Sequence, residues 1–285
     1  MRPPAGSVAW SAALALTLLL FAGAAAGLGL LLFLPGAADP LRGLPVNTWW
    51  FRYRDAAEQG SGGSLWCVAA AAATACICVV ASLRSRALYR KGSSPILPFL
   101  MMFLFSLGLE CLRAGTALLY AADSSIAVSL VLTRIIYWGR FVGLLSLLCA
   151  GLYTIELKYR RFLVLAGVVF LVSFAMAAYI PMDRTVFFAQ LTWKLGDEQG
   201  VWFVNTVIGI LSVATVGAAA LSRRDRRYLL LACGLVLLLV SREFLFFAVD
   251  PLLLGAGLVF LAGGVLLCLR TLSVIYRQIG DLAEG

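Results

Sequence analysis

The sequence predicts an all-α, polytopic transmembrane helix bundle, and three observations support this fold class. Hydrophobic residues make up 62% of the 285-residue chain and charged residues only 13%, against about 25% charged residues in a soluble domain. Apolar runs of about 20 residues, the length that spans a bilayer, recur along the chain. The Lys and Arg residues behind the net charge of +9 cluster between these runs, which is typical of topology signals and argues against a nucleic-acid partner.

Eight apolar runs have the length and composition of transmembrane helices. They form one N-terminal helix followed by a seven-helix core. The chain accordingly divides into residues 1–64, the first helix and an external loop, and residues 65–285, the core with a short cytoplasmic tail. The spans lie at residues 8–34, 65–83, 96–121, 126–153, 162–180, 201–221, 228–249 and 252–274.

The first span has an alternative interpretation as a cleaved signal peptide. Small residues from Ala22 to Ala26 offer cleavage sites. The apolar stretch is, however, longer than the usual h-region of about 7–15 residues. We therefore expect a retained helix, whereas cleavage would leave a seven-helix bundle with its N-terminus outside.

The charged connections between spans predict the orientation of the bundle. Fourteen of the 23 Lys and Arg residues fall at one set of span ends and five at the other, and four lie within spans. The positive-inside rule makes the basic side cytoplasmic, which places both termini in the cytoplasm and the protein in the cytoplasmic (inner) membrane. The fourteen are Arg2, Arg84, Arg86, Arg90, Lys91, Lys158, Arg160, Arg161, Arg223, Arg224, Arg226, Arg227, Arg270 and Arg277.

Two segments on the predicted outer side, residues 35–64 and 181–200, are long enough to fold over the bundle. Both carry aromatic side chains, which form either a belt at the level of the lipid headgroups or a lid over a pocket. These side chains are Trp49, Trp50, Phe51 and Tyr53 in the first segment and Phe187, Phe188 and Trp193 in the second.

Six ionisable side chains interrupt the apolar runs and are the strongest functional signal in the sequence. A charge at bilayer depth costs about 3 kcal/mol or more unless it is partnered, so such residues usually face the bundle interior and mark a working site. With a helical rise of about 1.5 Å per residue, all six fall between the midplane and the outer third of the membrane. They are Glu110 and Arg113 in span three, Arg134 and Arg140 in span four, and Arg242 and Glu243 in span seven.

Depth matching predicts which of these charges pair. We expect Glu110 to pair with Arg140, and Glu243 to pair with Arg134 or Arg113. Four arginines against two glutamates leave a formal surplus of two positive charges. Water, backbone carbonyls or snorkelling of Arg134 towards the outer surface could offset it. An anionic carboxylate or phosphate entering from outside is the functional alternative, because arginine binds both groups bidentately.

These charges predict a non-enzymatic receptor or sensor-like module that binds a small anionic ligand from the outer side. The four arginines would hold the ligand and the two glutamates would orient them, with Tyr137 between Arg134 and Arg140 on their helix. A secondary transporter of a small anionic or lipid-like solute and a membrane scaffold or assembly subunit are the alternatives. All nine prolines lie in loops or at span ends, so no span looks interrupted, which disfavours the transporter.

Several classes of enzyme and cofactor are disfavoured by what the sequence lacks. There is no histidine, which excludes histidine-ligated zinc or haem and histidine acid–base catalysis within this chain. His-Glu-x-x-His, Gly-x-Ser-x-Gly and Walker A patterns are missing. No lysine lies in a span to form a retinal Schiff base. We therefore expect no enzymatic activity, no metal and no cofactor.

Small residues in span four predict a close helix contact. Gly139-x-x-x-Gly143 is followed on the same face by Ser146 and Ala150. Small residues at this spacing allow helix backbones to approach closely, which places span four at the centre of the bundle.

Three motifs follow one another from span three to span five. Phe105-Ser-Leu-Gly-Leu-Glu110 precedes Thr133-Arg-Ile-Ile-Tyr137-Trp-Gly139-Arg and a helix that ends in Gly151-Leu-Tyr153. This pattern resembles the N-terminal seven-helix sensor region of bacterial membrane-bound histidine kinases, in which a mid-helix acidic residue precedes a helix with a Tyr-x-Gly core. The resemblance covers about a third of the chain and implies ligand sensing from the outer side. Because the sequence to Gly285 contains no kinase domain, it also implies either a stand-alone sensor module or one that signals through a separate cytoplasmic partner.

Overall fold

A computed structural model describes residues 63–89, 96–155 and 162–284, with a discontinuous set of residues before position 63. Side chains are described as far as Ile275. Several predictions concern residues outside this set, among them the start of the first span, the aromatic side chains of residues 49–51 and 53, and the basic residues 90, 91, 158, 160 and 161. The orientation of the bundle stays a prediction, since helix packing is the same for either direction of insertion. The division at residues 64 and 65 also stays a prediction.

Seven helical segments in the described part of the chain are long and apolar enough to cross a membrane, and they match seven of the eight predicted spans. A short apolar helix, α1 (Phe21–Leu31), lies within the predicted first span, whose full length stays a prediction. The seven are α2 (Gly63–Tyr89), α3 (Ile96–Gly108) continued by α4 (Leu112–Ala121), α5 (Ile126–Thr154), α6 (Phe162–Tyr179), α7 (Glu198–Arg223), α8 (Arg226–Phe247) and α9 (Pro251–Glu284).

Helices α7 and α8 are antiparallel neighbours because only two residues join them. Arg224 ends α7 in the left-handed conformation, with φ of 50°. Asp225 begins α8, and its side chain accepts a hydrogen bond of 2.9 Å from the backbone N–H of Arg227, a common N-cap arrangement. The beginning of α7 and the end of α8 therefore lie at the same end of the bundle, the predicted outer end.

The third span contains a local change of helix type. Residues Leu109–Cys111 form a 3-10 turn between α3 and α4, but the span continues as one helix from Ile96 to Ala121, so no interruption occurs at Glu110, as expected. Proline positions could not reveal this turn, because a 3-10 turn requires no proline. The turn packs against α5, where a Cβ added to Gly139 would lie 2.9 Å from Leu109 Cδ1. A 3-10 turn within a helix often marks a hinge.

Helix α5 lies at the centre of the bundle, as its small residues predict. It packs against α3, α4, α6 and α7. A Cβ on Gly143 would overlap the Ser106 hydroxyl and would lie 3.3 Å from the ring of Phe103 on α3. The close approach of α5 and α3 therefore requires glycine at this position.

The segment between α6 and α7 covers the predicted outer end of the bundle. It forms an antiparallel hairpin of β3 (Met182–Phe187) and β4 (Trp193–Leu195); a smaller pair is formed by β1 (Val46–Asn47) and β2 (Tyr53–Arg54). Phe187, Phe188 and Trp193 are buried, so the headgroup belt is wrong for these three residues. The buried rings close the hydrophobic core at the end of the helices.

Candidate functional site

Five of the six intramembrane charges converge on one buried cluster between the 3-10 turn, α4, α5 and α8. We call these residues, Glu110, Arg113, Arg140, Arg242 and Glu243, the Arg/Glu cluster. Glu110 and Arg113 are each 1% exposed, and Arg140 and Arg242 are each 2% exposed. Glu243 has 16% of its side-chain surface exposed. The cluster is therefore a desolvated ion network with one more accessible carboxylate.

Arg140 on α5 contacts both carboxylates of the cluster. Its Nη1 lies 3.2 Å from Glu110 Oε1, which confirms the predicted pair. Its Nη2 lies 2.9 Å from each carboxylate oxygen of Glu243. One guanidinium therefore joins three parts of the bundle through charge-assisted hydrogen bonds.

Glu243 has a second partner, which is not the one expected from depth. Arg242 Nη1 lies 2.8 Å from Glu243 Oε1, and Arg242 Nη2 donates to the backbone carbonyl of Arg140 at 3.0 Å. The prediction that Glu243 pairs with Arg134 or Arg113 is wrong. Depth matching identified the slab in which these groups lie, but the rotation of each helix decides which groups meet.

Arg134 lies outside the cluster, contrary to expectation, and is exposed on α5. It precedes Arg140 by six residues, which places it about 9 Å further along the helix and about 120° around it. An exposed arginine at this depth can extend its guanidinium towards the headgroups. Snorkelling, the alternative considered for this residue, therefore explains its position.

Arg113 caps the end of α8 and also binds Glu110. Its Nη2 lies 3.1 Å from Glu110 Oε2 and donates to the Leu245 carbonyl at 3.1 Å. Its Nη1 donates to the Phe246 carbonyl at 3.4 Å. The last four carbonyls of a helix have no partner within it, and a cation there is favourable. Part of the positive charge of the cluster is thus offset by backbone carbonyls.

Two aromatic residues at the end of α8 complete the surroundings of Arg140. The guanidinium carbon lies 3.8 Å from the ring centre of Phe246 and 5.6 Å from that of Phe247. Tyr137 is buried, and its ring contacts Phe246 edge-on at 5.6 Å. Tyr137 therefore supports the aromatic wall of the cluster. The positions of both phenylalanines three and four residues after Glu243 could have suggested this contact.

The predicted outer end of the cluster is closed in the described part of the chain. Gln190, in the turn of the β3–β4 hairpin, donates from Nε2 to the carbonyls of Asn47 at 2.6 Å and Phe247 at 2.9 Å. Asn47 Nδ2 donates to Glu198 Oε1 at 3.1 Å. We call the hairpin and residues 43–47 the plug. The expectation that the cluster opens directly outward is wrong, because the plug lies across the ends of the helices.

A cavity reaches the cluster from the side instead. It has a volume of about 490 Å³ and lies between α5, α7 and α8. Arg242, Glu243 and Asn205 line it, and most of the remaining lining is aliphatic. Asn205 Oδ1 is buried without a hydrogen-bond partner. Sequence analysis missed Asn205, although an amide within an apolar helix is a recognisable signal.

The charges of the cluster do not balance. Three guanidinium groups face two carboxylates, so the surplus is one positive charge rather than the two expected when Arg134 was included. Arg140 Nε is also buried without an acceptor. Buried ions are normally neutralised and fully hydrogen-bonded. The cluster therefore retains the capacity to accept one more negative group.

Comparisons with known proteins add no further information about the site. No family model, curated protein or solved structure matches this chain. The resemblance to the sensor region of histidine kinases stays a prediction.

Proposed function

We propose that this chain is an integral membrane receptor or sensor-like module that binds a small anionic ligand at its Arg/Glu cluster. The observation that carries the proposal is the formal surplus of one positive charge, which backbone carbonyls offset only in part, together with the buried Arg140 Nε that has no acceptor. An added anion would neutralise that charge and would accept hydrogen bonds from guanidinium groups, which bind carboxylates and phosphates strongly.

The response to the ligand would be a change of partners among the helices. Glu243 now binds Arg140 on α5 and Arg242 on α8. An anion that binds either arginine competes with Glu243 and weakens the connection between the two helices. The 3-10 turn at Glu110 provides a point where the third span can bend. Movement of these helices would reach the predicted cytoplasmic loops, where a separate signalling partner would bind.

Thermal unfolding of the purified full chain tests anion binding. Five of the seven cysteines are buried, so a thiol-reactive fluorescent dye reports unfolding. Sodium acetate and phosphate are compared with chloride at constant ionic strength. We expect the wild type to be stabilised, and Arg242→Gln, which makes the cluster neutral, to lose this effect. Arg134→Gln is the matched control, because it removes an exposed arginine outside the cluster, and it should behave as wild type.

A second variant keeps the test informative if Arg242→Gln does not fold. Glu243→Gln raises the positive surplus from one charge to two, so the stabilisation by acetate or phosphate should increase. Equal anion effects in the wild type and in a folded cluster variant would contradict the proposal. The proposal also fails if no anion, including the long-chain carboxylate tested below, binds at the cluster.

Secondary transport is the second candidate, and the 3-10 turn at Glu110 favours it. The turn changes the helix geometry locally beside a buried carboxylate, and an acidic residue within a membrane span can carry a proton. Proteoliposomes loaded with a pH-sensitive dye would acidify or alkalinise in response to an acetate or phosphate gradient. Transport requires this flux to depend on Glu110 and to be lost in Glu110→Gln, whereas a receptor binds the anion without flux.

A further inference from the structure

We infer that the natural ligand is a long-chain monocarboxylate, an anionic single-chain amphiphile that enters the cavity between α7 and α8 sideways from the outer leaflet. This inference rests on the proposed function, since it names the ligand class and the route of entry for the same cluster. It follows from four features of the cavity: its polarity, its opening, its unused hydrogen-bonding groups and the charge at its end.

The cavity is polar at one end and apolar along the rest of its length. Arg242 and Glu243 lie near the end of α8, and Asn205 lies near the beginning of α7, so these groups share the predicted outer end. The lining continues along α7 to Ala214, which is twelve residues beyond Trp202 and about 18 Å away along the helix. This polarity matches a ligand with a polar head and an apolar tail.

The cavity opens towards lipid rather than towards water. Ile210 is 63% exposed and Val236 is 42% exposed, and both line the cavity. Exposed aliphatic residues on a membrane helix face acyl chains. The plug closes the end of the bundle through Gln190. A ligand that partitions into the outer leaflet can therefore reach the cluster without displacing the plug.

The polar end has hydrogen-bonding groups that the protein does not use. Asn205 Oδ1 is buried without a partner, and an amide rotation of about 180° presents Nδ2–H instead, so the amide can donate to a carboxylate. Each terminal guanidinium nitrogen carries two N–H groups. Nη1 and Nη2 of Arg242 each make one hydrogen bond, so each has a second N–H group for a ligand. A carboxylate head group can bind both side chains.

The charge and size of the site select the head group and the tail. One surplus positive charge matches one carboxylate, whereas a doubly charged head group would leave the site negative. The volume of 490 Å³ falls within the range of about 300–1,000 Å³ that is usual for small-molecule sites. We therefore assign one acyl chain to the cavity, rather than a phospholipid with two chains and a zwitterionic head.

Tryptophan quenching by 2-bromostearate tests this assignment directly, because bromine quenches an indole that it touches. Its bromine is on the carbon next to the carboxylate, at the end of the cavity where Trp202 and Asn205 lie. Trp202 lines the cavity, whereas Trp138 packs against Phe170 on α6. We expect saturable quenching in the reconstituted full chain, most of which is lost in Trp202→Phe and retained in Trp138→Phe. 2-Bromostearyl alcohol, which has the same tail and no charge, should bind at least tenfold more weakly.

Two glycines on α7 provide a matched pair of variants that leave the Arg/Glu cluster intact. Gly209 lines the cavity, and a Cβ there would lie at an ordinary contact distance of 3.7 Å from Leu239 Cδ1. We therefore expect Gly209→Leu to fold and to fill the cavity with its side chain. Gly217 has no atom within 4 Å of an added Cβ, so Gly217→Leu only faces lipid. Quenching of Trp202 by 2-bromostearate should disappear in Gly209→Leu and persist in Gly217→Leu. Asn205→Leu should weaken binding at least tenfold.

Each contrary result has a distinct meaning. Equal affinity for the acid and the alcohol would overturn the assignment. Quenching of Trp202 by brominated phosphatidylcholine that stearate does not displace would also overturn it. In either case the cavity would be a site for annular lipid. If acetate or phosphate stabilises the wild type through Arg242 but 2-bromostearate does not quench Trp202, the ligand class is wrong and the proposed function stands. If no anion of either kind binds, both fail.

Discussion

The guanidinium carbon of Arg140 lies 3.8 Å from the ring centre of Phe246, on a helix that also supplies the carboxylate of Glu243 to the same arginine. The arginine is thus held by a π-face and an ion pair from one helix. Since Phe246 is three residues after Glu243, a single turn of α8 presents both groups to α5.

Replacing Phe246 with leucine tests the contribution of the π-face. Leucine keeps the site apolar but removes the ring, so we expect a loss of about 1–2 kcal/mol in the free energy of unfolding. Phe244→Leu is the matched control, because Phe244 lies on the same helix and contacts the ring of Phe260 rather than a cation. The free energy of unfolding of both variants is measured in mixed micelles that contain an increasing fraction of denaturing detergent. Equal losses would show that the ring acts by packing alone.

The Glu110–Arg140 pair predicts a non-additive double mutant. Glu110→Gln or Arg140→Gln alone breaks buried ion pairs, although Arg140 keeps Glu243 and Glu110 keeps Arg113. Each variant should therefore cost up to about 3–5 kcal/mol in unfolding free energy. The double variant should recover part of this, with a coupling energy of about 0.5–3 kcal/mol. Glu110→Gln combined with Arg134→Gln is the control, and its effects should add. Additive losses in the Glu110/Arg140 cycle would refute direct pairing.

Gln190 is expected to hold the plug closed. Gln190→Leu removes the donors to Asn47 and Phe247, so Cys67, which is buried and donates to the Ala248 carbonyl, should become reactive. A membrane-impermeant maleimide and mass spectrometry of the Cys67 peptide measure the rate, which should rise at least tenfold.

Gln199→Leu is the control for this experiment, because Gln199 is exposed near the start of α7. Its Cys67 labelling rate should equal that of the wild type. A slow rate in both variants would mean that the buried aromatic side chains of the hairpin, rather than Gln190, keep the plug in place.

Replacing glycine by alanine should lower stability where α5 and α3 are in close contact, but not on a helix surface that faces lipid. Gly143→Ala places a methyl group against the Ser106 hydroxyl, and we expect a loss of about 1–3 kcal/mol. Adding Ser106→Ala removes the overlapping oxygen and should restore part of it. Gly167→Ala on α6, where an added Cβ meets no atom within 4 Å, should be neutral or stabilising by up to about 1 kcal/mol. Thermal unfolding temperatures would rank the variants, and a destabilised Gly167→Ala would contradict the packing argument.

The β3–β4 hairpin should lose stability in acid. Hydrogen bonds from the Thr185 hydroxyl and backbone lower the pKa of Asp183 below its usual 3.8, with a smaller contribution from Lys194. A lowered pKa in the folded state gives stability that is present above the unfolded pKa and is lost as pH falls through the folded pKa. Hydrogen exchange of residues 182–196, corrected for the intrinsic pH dependence, should therefore show weaker protection below about pH 3.8. Asp183→Asn should remove this pH dependence.

The sequence determined the class of protein and the depth of its charges. Runs of apolar residues and the basic clusters between them are properties of the chain itself, so seven spans were predicted close to their observed bounds. Depth follows from residue number at a fixed helical rise. Depth therefore predicted the Glu110–Arg140 pair correctly, but the same reasoning predicted the wrong partner for Glu243.

Only the tertiary structure decided which charges meet and how the cluster is reached. The membrane helices are apolar on most faces, so no polar stripe fixes their rotation. Rotation turns Arg140 into the bundle and leaves Arg134, about 120° away on the same helix, exposed. The contacts of Gln190 and Phe246 and the cavity beside Asn205 join residues far apart in sequence. Such contacts depend on side-chain packing between helices, which local pattern does not encode.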